Sequence, residues 1–196
     1  MIAVLISIRP KWCEKIISGE KTTEVRKTRP KLIPPFKCYI YCTQSVDMLW
    51  ILKERERSLH PDKIADVFKA AKCGGAYRGN GKIIGEFTCN RVTNLFSNSR
   101  FWLDEDDVLH TCLSAAEMRK YANGANGLYG WHISNLKIYD TPKELIEFHT
   151  WKKCKSCNKS GYESTACIYD ENCIIPAAIT KAPQSWCYVE EEPWKD

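Results

Sequence analysis

Apolar and polar positions change their period several times along the chain, and each change marks an element. Ala3 to Ile8 is a near-continuous apolar run, the pattern of a buried strand. From Pro10 to Ile17 the period lengthens: Trp12, Cys13, Ile16 and Ile17 form one apolar helical face. Pro10 suits the first helical position, where a missing N–H costs nothing. Gly19 stands where a helix end needs a residue free to take positive φ. Thr23 to Arg26 is short, contains a β-branched residue and reads as extended. Alternate strand residues share a face, so Glu24 and Arg26 point one way and Thr23 and Val25 the other. Lys21, in the turn before them, can reach over the Glu24/Arg26 face.

Further on, Thr28 to Phe36 holds Arg29-Pro30 and Pro34-Pro35 and reads as a loop. Cys38 to Cys42 alternates, with Cys38, Ile40 and Cys42 on one face and Tyr39 and Tyr41 on the other. Val46 to Leu59 predicts a helix, and Asp62 to Ala71 a second one, separated by His60-Pro61. Cys73-Gly74-Gly75 and Arg78-Gly79-Asn80-Gly81 are turns. Lys82 to Val92 predicts a strand, with Gly85 at a bulge or a close approach. Phe101 to His110 is mixed, and Asp104 to Asp107 is an acidic turn. Ser114 and Glu117 have capping-box spacing and open a helix to Tyr121, which Asn123-Gly124 ends. Leu128 to Tyr139 predicts a long strand. Thr141-Pro142-Lys143-Glu144 predicts a second capping box and a helix from Lys143 to Phe148.

A length of 196 residues suits one domain with an insertion or an appendage, and 44% hydrophobic content is enough for a core. The net charge of +5 permits a nucleic-acid partner without demanding one. Ile2 to Ile8 lacks the basic flank of a signal peptide, and no stretch approaches the ~20 apolar residues of a membrane span. The expected location is the cytoplasm, with no membrane partner. Eleven cysteines are many for that compartment, and their odd number fits badly with full pairing as disulfides. No phosphate loop, recognisable Ser-His-Asp constellation or zinc-hydrolase helix motif is present.

Chemistry concentrates in Ser18-Gly19-Glu20-Lys21-Thr22-Thr23-Glu24-Val25-Arg26-Lys27. Its charges fit either a solvated hairpin edge or one wall of a site. The spacing Gly19-x-Lys21-x-x-x-x-Arg26 resembles the signature of the ASCH family, within the PUA-like superfamily. Leu5 to Lys11 resembles that family's first strand and helix entry. Gly81 to Phe87 and Leu128 to Ile133 resemble two later barrel strands, and Pro183 to Glu190 resembles the closing strand of phage and Firmicute members.

The resemblance implies an α+β fold: a PUA-like β-barrel with flanking helices over 1–148 and 181–192. Family members are usually shorter between Ser45 and Cys73, so about 45–73 reads as a helical insertion. Such domains are associated with binding RNA or modified nucleobases. One branch hydrolyses acetylcytidine with a Lys, a Thr three residues later and a distant Glu. Lys21 matches that lysine, but Glu24 stands at the Thr position, and Thr22 and Thr23 are out of phase.

Residues 149–180 read as a Cys-rich appendage. Cys154, Cys157, Cys167 and Cys173 lie in a polar stretch with little to bury, where four thiolates on a structural zinc would supply order. His149 is an alternative ligand, and a disulfide pair or free thiols are the other readings.

The candidate ligand pocket gathers Lys21, Glu24, Arg26, Trp131, His132, Gln184, Ser185 and Trp186. Cations suit a phosphate or a base carbonyl, Trp offers a stacking face, and Gln and Ser read a base edge. Trp131 and Trp186 also fit a core role, and His132 lies on the opposite strand face from Trp131. The leading expectation is a module binding RNA or a modified nucleotide. The first alternative is a small amidohydrolase or nuclease with Lys21 as base and Glu24 or Glu86 as acid, using water or Thr23 as nucleophile. The second is an accessory factor whose insertion, Ser45 to Cys73, carries a protein-partner surface.

Overall fold

The computed structural model describes residues 1–59, 71–97, 108–153 and 174–190. Strand β1 (Ile2–Ile8) is apolar but for Ser7 because both of its faces are covered. Val4, Ile6 and Ile8 pack on one side with Cys13, Ile16, Cys38, Ile40 and Trp131. Ala3 and Leu5 pack on the other with Tyr39, Tyr41, Phe148 and Val189. Side chains alternate along a strand, so two cores on one strand erase the usual polar–apolar alternation.

The chain leaves β1 into helix α1 (Pro10–Ile17), which buries Cys13 and Ile16, then forms β2 (Thr23–Arg26) and returns as β3 (Phe36–Cys42). β3 runs parallel to β1, a pairing that requires such a crossover. Its expected faces hold: Cys38, Ile40 and Cys42 lie in the first core, and Tyr39 and Tyr41 in the second.

The sheet is completed by β6 (Ile83–Ser97), β7 (Gly127–Lys143) and β10 (Trp186–Glu190). The strand order is β10-β1-β3-β6-β7-β2. Its two outer strands meet through side chains. Trp186 Nε1 donates to Thr28 Oγ1 at 3.0 Å, the Lys31 amide donates to the Tyr188 hydroxyl at 2.7 Å, and Arg26 Nη1 reaches Ser185 Oγ at 3.5 Å. The expected barrel character therefore takes the form of a curled six-stranded sheet whose edges are joined by side-chain bonds.

Gly85 fulfils its expected role. The β3–β6 and β6–β7 ladders both shift register beside it, and a Cβ there would lie 2.4 Å from the Lys137 carbonyl oxygen. Helix α3 (Ala115–Ala122) opens on the Ser114/Glu117 capping box and ends at Asn123 in the left-handed region. Met118 and Ala122 of α3 cover Val25, Leu95 and Leu128, which form a third core.

Two expectations need correction, and one element was not foreseen. The helix predicted over Val46–Leu59 is helical only as α2 (Glu54–Leu59); before it, β4 (Trp50–Leu52) pairs with β5 (Ala76–Arg78). The distant Arg78–Gly81 turn captures the backbone there: Asn80 Oδ1 accepts from the Leu49 amide at 2.8 Å, and the Gly79 amide donates to the Leu49 carbonyl at 2.8 Å. The helix predicted from Lys143 to Phe148 is a single 3-10 turn, Leu145–Glu147, because β7 continues through Thr141 and Pro142 to pair Lys143 with Ile83. The capping box there is formed by Glu144 and Glu147. The Cys-rich appendage is framed by a ribbon that its sequence did not suggest, β8 (His149–Lys153) paired antiparallel with β9 (Ile174–Ala178). The second helix expected, Asp62 to Ala71, lies outside the described residues up to position 70, as do the acidic run Asp104–Asp107 and Cys154, Cys157, Cys167 and Cys173. Among those described, no group of three His, Cys, Asp or Glu side chains is placed to hold a metal ion. No helix among them is long and apolar enough to cross a membrane.

Candidate ligand-binding cleft

The turn after α1 delivers the charged row. Gly19 takes φ +80°, and the Lys21 amide donates back to the Lys15 carbonyl at 2.9 Å, which fixes where β2 begins. β2 then pairs with β7, setting Glu24 opposite Trp131 and Thr23 opposite His132. Glu24 and Arg26 face a cleft and Thr23 turns to His132, as a period of two requires, while Val25 packs under α3 and also borders the cleft.

Lys21, Glu24 and Arg26 are only 2%, 5% and 6% exposed. Glu24 is shared between the two cations. Its Oε2 lies 3.3 Å from Lys21 Nζ, and its Oε1 lies 2.9 Å from Arg26 Nη2. Lys21 Nζ also donates to the carbonyls of Thr23 at 2.9 Å and Thr111 at 2.7 Å. Three acceptors thus surround it, matching the three protons of an ammonium group. Arg26 Nη2 donates to the Ser7 carbonyl at 2.7 Å. Its Nε–H is buried and has no partner.

These groups line a cleft of about 540 Å³, within the range of small-molecule sites. Of the residues anticipated from the sequence, Lys21, Glu24, Arg26 and Gln184 line it. Ser185 is adjacent, at 3.5 Å from Arg26 Nη1. The other three lie elsewhere. Trp131 is fully buried beneath the sheet, edge-on to Phe36 at 5.8 Å and 5.9 Å from Trp186. Trp186 spends its indole N–H on Thr28 and its ring on Trp131 and Tyr188. His132 is on the far face, with Nδ1 3.3 Å from Thr23 Oγ1 and Nε2 3.0 Å from Thr93 Oγ1. The aromatic plate expected from Trp131 and Trp186 is instead supplied by Trp12, with Tyr121 of α3. Lys11 Nζ and Lys21 Nζ lie 4.8 and 5.2 Å from the Trp12 ring centre. Trp12 packs only partly against the core that buries Cys13 and shows its remaining surface to the cleft. Arg9, Ser7, Ile8, Val25, Thr43 and Leu113 complete the walls. Nothing local to the signature pointed to the segment carrying Thr111 and Leu113, although the His110 carbonyl accepts from the Thr22 and Thr23 amides and anchors it there.

Of the groups named for hydrolysis, Lys21 and Glu24 line the cleft, while Thr23 and Glu86 do not. The Thr23 hydroxyl is buried on the opposite strand face. Glu86 is away from the cleft, accepting from the Tyr139 hydroxyl at 2.6 Å and lying 3.9 Å from Lys37. Burial pushes the Cys13 thiol, in the core behind the cleft, well above its ordinary value, and the neighbouring Cys42 thiol adds to that shift. Burial also raises the Tyr121 phenol, against the opposing pull of Arg26, so it faces the cleft as a neutral hydroxyl.

No family model and no curated protein matches the sequence. The fold does have solved counterparts. The ASCH protein of Zymomonas mobilis superposes with a TM-score of 0.53 at 16% identity, covering 96% of this chain and 88% of that one. A serine-to-alanine variant of the same protein gives 0.53 at 15% identity, covering 96% and 89%. At such identities the likeness carries architecture alone, and it spans nearly the whole of both chains: this chain has the α+β fold of an ASCH domain.

Proposed function

We propose that this chain is a binding module for a nucleobase-bearing ligand, either single-stranded RNA or a modified nucleotide, held in the cleft beside β2. The observation that carries this reading is the pairing, in one 540 Å³ concavity, of a buried Lys21–Glu24–Arg26 row with the exposed part of the Trp12 indole. An unpaired base has a π-face for the indole, and its sugar–phosphate supplies the acceptors that cations seek. Gln184, in the same lining, offers both a donor and an acceptor for a base edge.

Titration of the protein with ribonucleosides, ribonucleotides and short unpaired RNAs at low salt, followed by calorimetry, tests this reading. At least one class binds, and Trp12→Ala weakens it by about 1–3 kcal/mol, the worth of one stacked base. Arg26→Ala weakens it at least as much and flattens the salt dependence. A panel in which nothing binds the unaltered protein would remove the reading.

A further inference from the structure

The cleft has an unbalanced charge. Lys21, Glu24 and Arg26 are each at least nine-tenths buried, and two cations share one carboxylate, leaving a net charge of +1 in the wall. Arg9, in the same lining, adds a second positive group. A buried charge without a counterion costs several kcal/mol, so folds rarely keep one unless something answers it. A donor is unanswered as well: Arg26 Nε–H is closed off from solvent and bonded to nothing. Helix α1 begins at this wall, through Arg9 and Trp12, with no capping side chain and no acidic residue in its first turn. The positive end of its dipole adds to the field there.

Resting on the reading of the cleft as a nucleobase site, we infer that the ligand carries a phosphate which docks at the Arg26 end of the charged row and supplies its missing negative charge. The base then lies toward Trp12 and Tyr121. In this arrangement Glu24 does not read the base. It sets the charge: it holds Lys21 and Arg26 in place and competes with the phosphate for the guanidinium. A neutral nucleoside satisfies the aromatic side only and leaves the net positive charge unanswered.

The experiment compares four ligands of one base on the unaltered protein: the nucleoside, its 5′-monophosphate, its 3′-monophosphate and a dinucleoside monophosphate. At least one phosphorylated form is expected to bind about tenfold or more tightly than the nucleoside, as befits hydrogen bonds to a charged group. Inorganic phosphate is expected to displace it. The monoesters and the diester tell whether the phosphate comes from a chain end or from within a chain. Glu24→Gln, which keeps the shape and removes the competing charge, should raise the preference for the phosphorylated ligand over the nucleoside several-fold. Equal binding of nucleoside and nucleotides overturns the inference and leaves the base-binding reading standing, as does loss of both ligands in a folded Glu24→Gln protein. Binding of none of the four overturns both. The wild-type comparison stands alone if the variant does not fold.

Discussion

Lys21 is almost wholly enclosed, and its role follows from that enclosure. Its ammonium answers two carbonyls and half of a carboxylate, from Thr23, Thr111 and Glu24. Removing it strands all three acceptors, and a buried ion pair broken on one side costs about 3–5 kcal/mol. Lys21→Met, which keeps most of the stem, should therefore lower the melting temperature by about 10 °C. Lys15, which meets Glu20 at 2.6 Å on the surface, gives the contrast: Lys15→Ala should leave the melting temperature unchanged. Calorimetric scans of both variants check this, and equal behaviour would sink the structural role given to Lys21. It follows that lost binding in a Lys21 variant says nothing about ligand contact until folding has been measured. The charged row itself was legible in the sequence, because a period of two in a four-residue strand needs only local information. The aromatic partner was not. Trp131 is buried by Phe36, from a strand 95 positions earlier, and no local pattern carries that (131 − 36 = 95).

Elements closed by their own local signals match the sequence reading residue for residue or nearly so: α1 with Pro10 and Gly19, and α3 with its Ser114/Glu117 box. Those decided by a distant partner do not. Leu49 to Leu52 has helical spacing, yet the Ala76–Asn80 segment takes its backbone groups. The β8–β9 ribbon was hidden in the same way, since Pro176 argues against a strand and β9 tolerates it only because the pair is two-stranded and all edge. That ribbon bears on the cysteines. It sets Lys153 opposite Ile174, so the chain between them leaves and returns at one place. The proposal that Cys154, Cys157, Cys167 and Cys173 share a structural zinc predicts one zinc per chain in protein purified without added metal. It also predicts four thiols that titrate only after chelation. Elemental analysis with thiol counting checks both, and metal-free protein with four freely reacting thiols would remove the zinc.

At the scale of the molecule, the α+β class was readable, but the order β10-β1-β3-β6-β7-β2 was not, because every pairing in it joins segments far apart in the chain. That order leaves β2 and β10 as edges, and unpaired edges are a liability that folds cover. Here they cover each other through Trp186–Thr28, Tyr188–Lys31 and Ser185–Arg26. The last contact belongs to the ligand cleft, so closing the sheet and positioning Arg26 are the same act. Replacing Thr28 by Val and Tyr188 by Phe keeps the shape of both side chains and deletes two of the joining bonds, at a cost of about 1 kcal/mol together, since both are solvent-exposed. The loss should be local. Amide hydrogen exchange should quicken in Thr23–Arg26 and Trp186–Glu190 and stay slow in β3 and β6, which are paired on both sides. Binding should weaken in step, because Arg26 loses the neighbour that holds its strand against β10. Exchange that is unaltered at both edges, or raised equally across the sheet, would mean that the seam does not hold the cleft together.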